Sequence, residues 1–460
     1  MEELQSFTMT NLTRHICKTV KMPHNKVFQE LKKYVQPRLD YLNGIRRSIK
    51  VYFLFEESYV EPEWKDMVAQ HYLNTSYRVS NTVMRVHLFI TNQLSQVNER
   101  NYAGCFTLRH IDEVRIMLSF IYPNWKVVSY DGKPTCVMNY LKKVHIEGKE
   151  IAYHTYPLFV QDNALLGCAQ ACLVSMSKYL NEKYRYDKIA ISSLSKAVHY
   201  HKVKLIPIGG LKPLQMLEVL DYHNIPVRFN LFADDSDADY FIQIIECTIE
   251  SALPVLLGTT VIDDKGTSSN HVIQIIGHSG EGLKRQYMVY DDSGFYLKSI
   301  GSAGFVDMIS EEQLREALTT EKSCIIYPIH ERAYLLYDNI KNRLRYLFEK
   351  VPVLKRLKQE RVCDEEQARC FLVDNREVKN FIIQNIRDNG NVQNRIREEV
   401  TKILSADVPH YLWYCEIKAD NRYIVFLADP TFNKSTTKSV FLNNIPLITE
   451  KQLGLLNYNT

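Results

Sequence analysis

The sequence predicts an α+β protein on three observations. The stretch "QDNALLGCAQACLVSMSKYL" (161–180) turns from polar to apolar at helical spacing, β-type runs rich in Val, Ile, Phe, Tyr and Thr flank it, and turn residues separate those runs. At 460 residues the chain is also too long for one ordinary core, so more than one folded block is expected.

Taken in order, the block 1–150 opens with a predicted helix over 26–45 and continues in strands over "IKVYFLFEE" (49–57), "VMRVHLFIT" (83–91) and "YAGCFTLRHI" (102–111). It carries no chemistry of its own and reads as an accessory domain. The block 151–330 predicts helices near 165–180, 213–223 and 238–252, then strands over "LPVLLGTTV" (253–261), "HVIQIIGH" (271–278) and "RQYMVYDDS" (285–293). The block 331–460 begins with a basic helical stretch (332–362) that Pro352 kinks or splits, and ends in β-like segments at 410–417 and 422–430.

Composition narrows the class. Hydrophobic content of 45% and charged content of 24% are those of an ordinary folded protein. The net charge of +4 is small for this length and gives no reason to expect a nucleic-acid partner. No run approaches the roughly 18 apolar residues of a membrane span, and the first residues lack the apolar core of a signal peptide. Ten cysteines show no disulfide or zinc spacing, so a cytoplasmic location is expected.

One cysteine stands apart. Ala169, Cys172, Leu173, Met176 and Leu180 repeat at three-to-four spacing as a buried stripe, with Cys172 a small hydrophobe on it. Cys168 precedes that stripe at the first helical turn, where unpaired backbone N–H groups and the helix dipole favour a charged sulfur. A base and an orienting acid are supplied by "NHVIQIIGHSGEGLKRQYMVYDDSG". If this hairpin pivots near Glu281, His271 lies opposite Asp291, with Cβ atoms about 4.5–5.5 Å apart. Strand side chains alternate faces, so Asp291 and Asp292 are not both expected on His271; a slip of one would select Asp292. His278 falls in the expected turn, facing solvent. Gln161 and the Cys168 backbone N–H are the candidate oxyanion donors.

These residues resemble the C39 and C39-like branch of the papain-like cysteine peptidases. The family pattern is Gln, a short polar loop, then Asp-Cys-Gly-Pro-Ala-Cys-Leu-Ala-Met; its second Cys and following Leu align with Cys172 and Leu173, which puts Cys168 at the nucleophile position. "IESALPVLLGTT", "NHVIQIIG" and "YMVYDDSG" are similar to the family's Gly-x-Pro-Val, His and Asp-Pro segments. Gly167 replaces an Asp, Ala169 and Gln170 replace Gly-Pro, and Asp292 replaces the Pro. The resemblance covers 151–330 and implies a bacterial papain-like domain, its nucleophile helix packed on an antiparallel sheet, between α/β-type accessory regions. It further implies cleavage of a peptide or isopeptide bond by Cys168, His271, Asp291 and Gln161, with a protein or peptide substrate and no cofactor or metal. Deamidation or transglutamination by the same residues, or a non-catalytic binding module of this fold, are the alternatives.

Other signals are set aside. Asp235, Asp237, Asp239 and Glu246 mimic a calcium loop but have Tyr240 where such a loop needs Gly, and read as a helix cap. His199 and His201 lack a third ligand, and "PIGG" (207–210) reads as a turn. The basic segment 341–361 combines Lys341, Arg343, Arg345, Lys350, Lys355, Arg356, Lys358 and Arg361 with an apolar stripe. It is expected to pack on the peptidase block with its basic face solvated, and is the candidate surface for a protein partner.

Overall fold

The computed structural model describes residues 5–6, 9–20, 23–34, 51–74, 79–110, 114–120, 135–162, 166–197, 210–233, 237–262, 265–279, 285–302, 305–320, 322–331, 333–388, 409–419, 422–431 and 442–446. Helices and antiparallel sheets make it a mixed α+β protein. It divides into two compact units, one drawn from 1–133, 137–236 and 254–327, the other from 134–136, 237–253 and 328–460. The first two sequence blocks thus share a unit, while the helix Ala238–Glu250 belongs to the second. Among the described residues no helix is long and apolar enough to cross a membrane.

The first unit holds two main sheets. One runs in the order Gln5–Ser6, Tyr52–Tyr59, Val83–Phe89, Tyr102–His110, Val114–Ser119 and Leu158–Phe159, and includes the three expected N-terminal strands. The helix His24–Tyr34 covers the start of the expected 26–45 helix, whose remainder lies outside the described residues. A helix at Met9–Val20 was not expected; Leu12 and Ile16, one turn apart, are its buried apolar pair. The second sheet runs Val227–Leu231, Cys324–Pro328, Val255–Ile262, Ser268–Ser279, Gln286–Tyr290 and Val306–Ser310.

A buried charge cluster ties the helix Pro62–Gln70 to the long helix Cys168–Tyr184. Glu63 (4% exposed) pairs with Lys178 and, at 2.6 Å, with Lys188, while Glu61 (3% exposed) lies beside it. Burial opposes charge on Glu63, but Glu61 and the two ammonium groups hold its carboxyl below the usual range. Burial and Glu63 push Glu61 up to about 8. A carboxyl raised in this way contributes stability below its unfolded pKa of about 4.3 and loses it as the pH rises through the folded value. Glu61→Gln is therefore expected to be more stable than wild type by about 1 kcal/mol or more near pH 8.5, with the difference closing near pH 4.5 in urea unfolding. A variant weaker than wild type at the higher pH would mean that ionised Glu61 supports the lysines.

In the second unit the basic stretch forms two helices, Tyr337–Lys350 and Pro352–Gln359, divided at Pro352 as expected. Its apolar stripe packs on this unit's own core, with Leu344, Phe348 and Leu354 against Trp413, Cys415 and Phe426. Of the block 151–330 expected to seat it, the helix Ala238–Glu250 supplies Cys247 to this core, while most of that block belongs to the first unit. Several cations are committed locally: Lys341 donates to the Glu365 and Glu366 carbonyls (3.0 and 3.1 Å), Arg345 pairs with Glu366 (2.8 Å), Arg356 with Glu360 (2.8 Å) and Lys358 with Glu365. Asp237 caps the helix Ala238–Glu250 by accepting from the Asp239 N–H (2.8 Å), the expected reading of that acidic run; Asp235, His199, His201 and residues 207–209 lie outside the described residues.

Candidate active site

The helix Cys168–Tyr184 begins at the candidate nucleophile itself. Gly167 is its N-cap in extended geometry, so Cys168 is the first helical residue and its N–H has no partner within the helix. The Gly167 N–H donates to Gln170 Oε1 (3.2 Å), and a Cβ at 167 would stand 3.1 Å from that oxygen. The expected stripe is buried, but so is every residue from Ala169 to Leu180. The polar members of the other faces are satisfied: Ser175 donates to the Pro157 carbonyl, Ser177 to that of Val174 (3.0 Å), and Lys178 to Glu63. The amphipathic pattern therefore understates the burial of a central helix. Cys168, the first residue of the helix, stays half-exposed.

The strand Ser268–Ser279 brings the histidine to the helix. His271 pairs with Thr259 of Val255–Ile262. Three residues on, buried Gln274 donates through Nε2 to the Cys172 carbonyl and accepts at Oε1 from the Tyr156 hydroxyl (2.7 Å). Cys172 Sγ donates to the Val272 carbonyl (3.6 Å). These bonds fix helix against strand, and the Cys168 thiol lies within hydrogen-bonding reach of the His271 ring. Asp291 Oδ1 stands 2.8 Å from His271 Nε2, which leaves Nδ1 as the ring nitrogen for the sulfur. The Phe295 ring meets the imidazole edge-on at 5.8 Å.

The hairpin reaches this geometry by a different register from the one expected. Gln274 pairs with Tyr290 and Ile275 with Val289, and a bulge follows before Gly277 pairs with Met288. Extending the ladder places residue 291 opposite Ile273, two residues from His271. A slip of two keeps the same face, which is why Asp291 still meets the ring diagonally. The strand itself ends at Tyr290. Asp291 still follows the ladder through its N–H to the Phe305 carbonyl (2.8 Å), whereas Asp292 lies in the turn beyond, where alternation no longer applies, and both carboxyls approach His271: one ligand atom from each of the three lies within 4.8 Å of the others. His278 is not in a turn; it is a buried strand residue beside the Tyr287 ring.

Asp291 is held from three further directions. Its Oδ1 accepts from the Ser293 N–H (3.3 Å) and hydroxyl (3.2 Å), and its Oδ2 from the Leu297 N–H (3.0 Å). Burial disfavours its charge, but His271 and these donors hold the carboxyl below the usual range. Burial likewise opposes charge on His271, yet Asp291 and Cys168 raise the imidazole well above its ordinary value. Among the described residues His271, Asp291 and Asp292 are the one set close enough to hold a metal ion. A nitrogen and oxygen facing each other at 2.8 Å as donor and acceptor are the geometry of a shared proton.

Gln161 is brought to the same place through its main chain. Its carbonyl accepts from Arg109 Nη2 (3.0 Å), and its main-chain N–H faces the Asp292 carboxyl. Asp162 braces the loop before Cys168: Oδ1 accepts from the Leu166 N–H (2.8 Å), and Oδ2 from the Tyr72 hydroxyl (3.0 Å). Arg109 and Tyr72 come from the N-terminal block, which sequence reasoning had left without a role; only the Arg within an apolar strand could have flagged one. No protein-family model matches the chain, and no curated protein is similar to it in sequence.

Proposed function

We propose that the chain is a thiol hydrolase, a papain-like cysteine peptidase of the C39-like kind, that cleaves a peptide or isopeptide bond. The observation that supports this most is the line from Cys168, on the first turn of a buried helix, to His271 and on to Asp291. With the proton held on the imidazole, the sulfur reacts as the anion. Attack forms a C–S bond, and the oxyanion is met by the Cys168 N–H and the Gln161 side chain. His271 gives its proton to the leaving amine, then takes one from the water that hydrolyses the thioester. Asp291 fixes the ring and offsets its charge. Ten free cysteines fit a reducing cytoplasm as the place of action.

A cysteine-directed activity probe is expected to label wild type at Cys168 and to leave Cys168→Ala unlabelled. Induction of wild type against Cys168→Ala is then expected to yield new protein termini. Gln-to-Glu conversion without new termini would move the assignment to deamidation. Even labelling of several cysteines, unchanged by His271→Ala, would leave a binding module.

A further inference from the structure

The segment that leads to Cys168 is built on the N-terminal sheet. Leu158–Phe159 pairs with Val114–Ser119, and the Val160 N–H donates to the Met117 carbonyl (2.9 Å). The next two residues are held by Arg109, a strand residue of the same sheet that is 3% exposed. Its Nη2 donates to the Gln161 carbonyl (3.0 Å), and its Nη1 stands 3.6 Å from Oδ2 of the equally buried Asp162. Asp162 passes the restraint forward. The Leu166 N–H donates to Asp162 Oδ1 (2.8 Å) and the Asp162 N–H to the Leu166 carbonyl (3.3 Å), which closes the loop just short of the sulfur. The acid side of the site rests on the same segment, for the Tyr290 hydroxyl, one residue before Asp291, donates to the Phe159 carbonyl.

A guanidinium taken this far from water is costly, and an apolar side chain would serve the sheet as well. What Arg109 adds is a planar fork that fixes two acceptors at once. Resting on the cysteine-hydrolase reading above, we propose that Arg109 is a positioning residue for Cys168: by locking Gln161 and Asp162 to the N-terminal sheet, it holds the first turn of the helix, and with it the sulfur, against His271. The N-terminal block is then part of the active site rather than an accessory to it.

The test is the pH profile of Cys168 alkylation by iodoacetamide in the full-length protein, the C–S bond forming as iodide leaves, read below the urea unfolding transition. The wild-type sulfur, paired with the imidazolium, is expected to react well below the ordinary thiol value of about 8.5. Arg109→Lys keeps the charge without the fork. Its profile is expected to move up by about one pH unit, so that the rate at about pH 7 falls about tenfold yet meets wild type above about pH 9.5, where a free thiol is ionised too. Asp162→Asn is expected to shift it in the same direction. Because the two residues form one link, the double variant is expected to react like the slower single, and losses that multiply would overturn the route through Asp162. A role in stability alone would lower the unfolding midpoint and leave the profile in place. That result in Arg109→Lys and Asp162→Asn, with His271→Ala still shifting the profile, would overturn the brace and leave the active site standing. Should wild type show no selective reaction at Cys168, the active site is wrong and the brace goes with it.

Discussion

His271→Ala is expected to slow alkylation of Cys168 by iodoacetamide at neutral pH by about 100- to 10,000-fold, the range that a positioned acid–base group supplies. The ring meets both the sulfur and an ionised acid. Without it the sulfur keeps its helix N-terminus but loses the cation beside it, and Asp291 is left as a buried acid facing a void. Asp291→Asn is expected to have a smaller effect of the same sign, since Ser293 and Leu297 still hold the side chain but not the charge that keeps the proton on the ring. The pH dependence has a definite sign at each end. A raised imidazole contributes stability below its ordinary value of about 6.5 and loses it as the pH climbs through the folded value; a lowered carboxyl contributes above about 3.9 and loses it on acidification. The pair is therefore strongest between those limits. The measurement is the second-order rate by mass spectrometry of Cys168. A rate for His271→Ala within about threefold of wild type would remove the base from the site.

Lys178→Met is expected to lower the unfolding free energy by about 3–5 kcal/mol, the usual cost of stripping one partner from a buried ion pair. Lys178 and Glu63 are 10% and 4% exposed, so water cannot take over from the lost ammonium. Lys188 still reaches Glu63, but at 37% exposure its charge is partly screened. Because Lys178 lies on the Cys168 helix, the variant is expected to lose cysteine reactivity only where the protein unfolds, not below the transition. Urea denaturation followed alongside alkylation separates these. A loss under about 1 kcal/mol would mean that the acids take up protons and leave no charge to strand.

The basic helices show how far a sequence pattern reaches. Their amphipathic stripe and the break at Pro352 are local properties, set by periodicity and by a residue with no N–H to give, and both were legible. What the stripe would pack against was not legible, since Leu344 and Phe348 would suit any apolar surface and a strand remote in sequence supplied Trp413 and Cys415. The hairpin repeats this. Its alternation placed Asp291 on the face of His271, whereas the register depended on a bulge that no residue type announces.

By itself, then, the sequence determined the α+β class, the cysteine at a helix start, and the histidine and acid that share one face of a hairpin, because short-range periodicity fixes which way each side chain points. Only the tertiary structure decided that Asp292 also turns inward, that Arg109 and Tyr72 brace the loop before the cysteine, and that the helix is buried on every side from Ala169 to Leu180. Those depend on contacts between segments far apart in the chain, whose energies are set by packing and desolvation that no local pattern encodes.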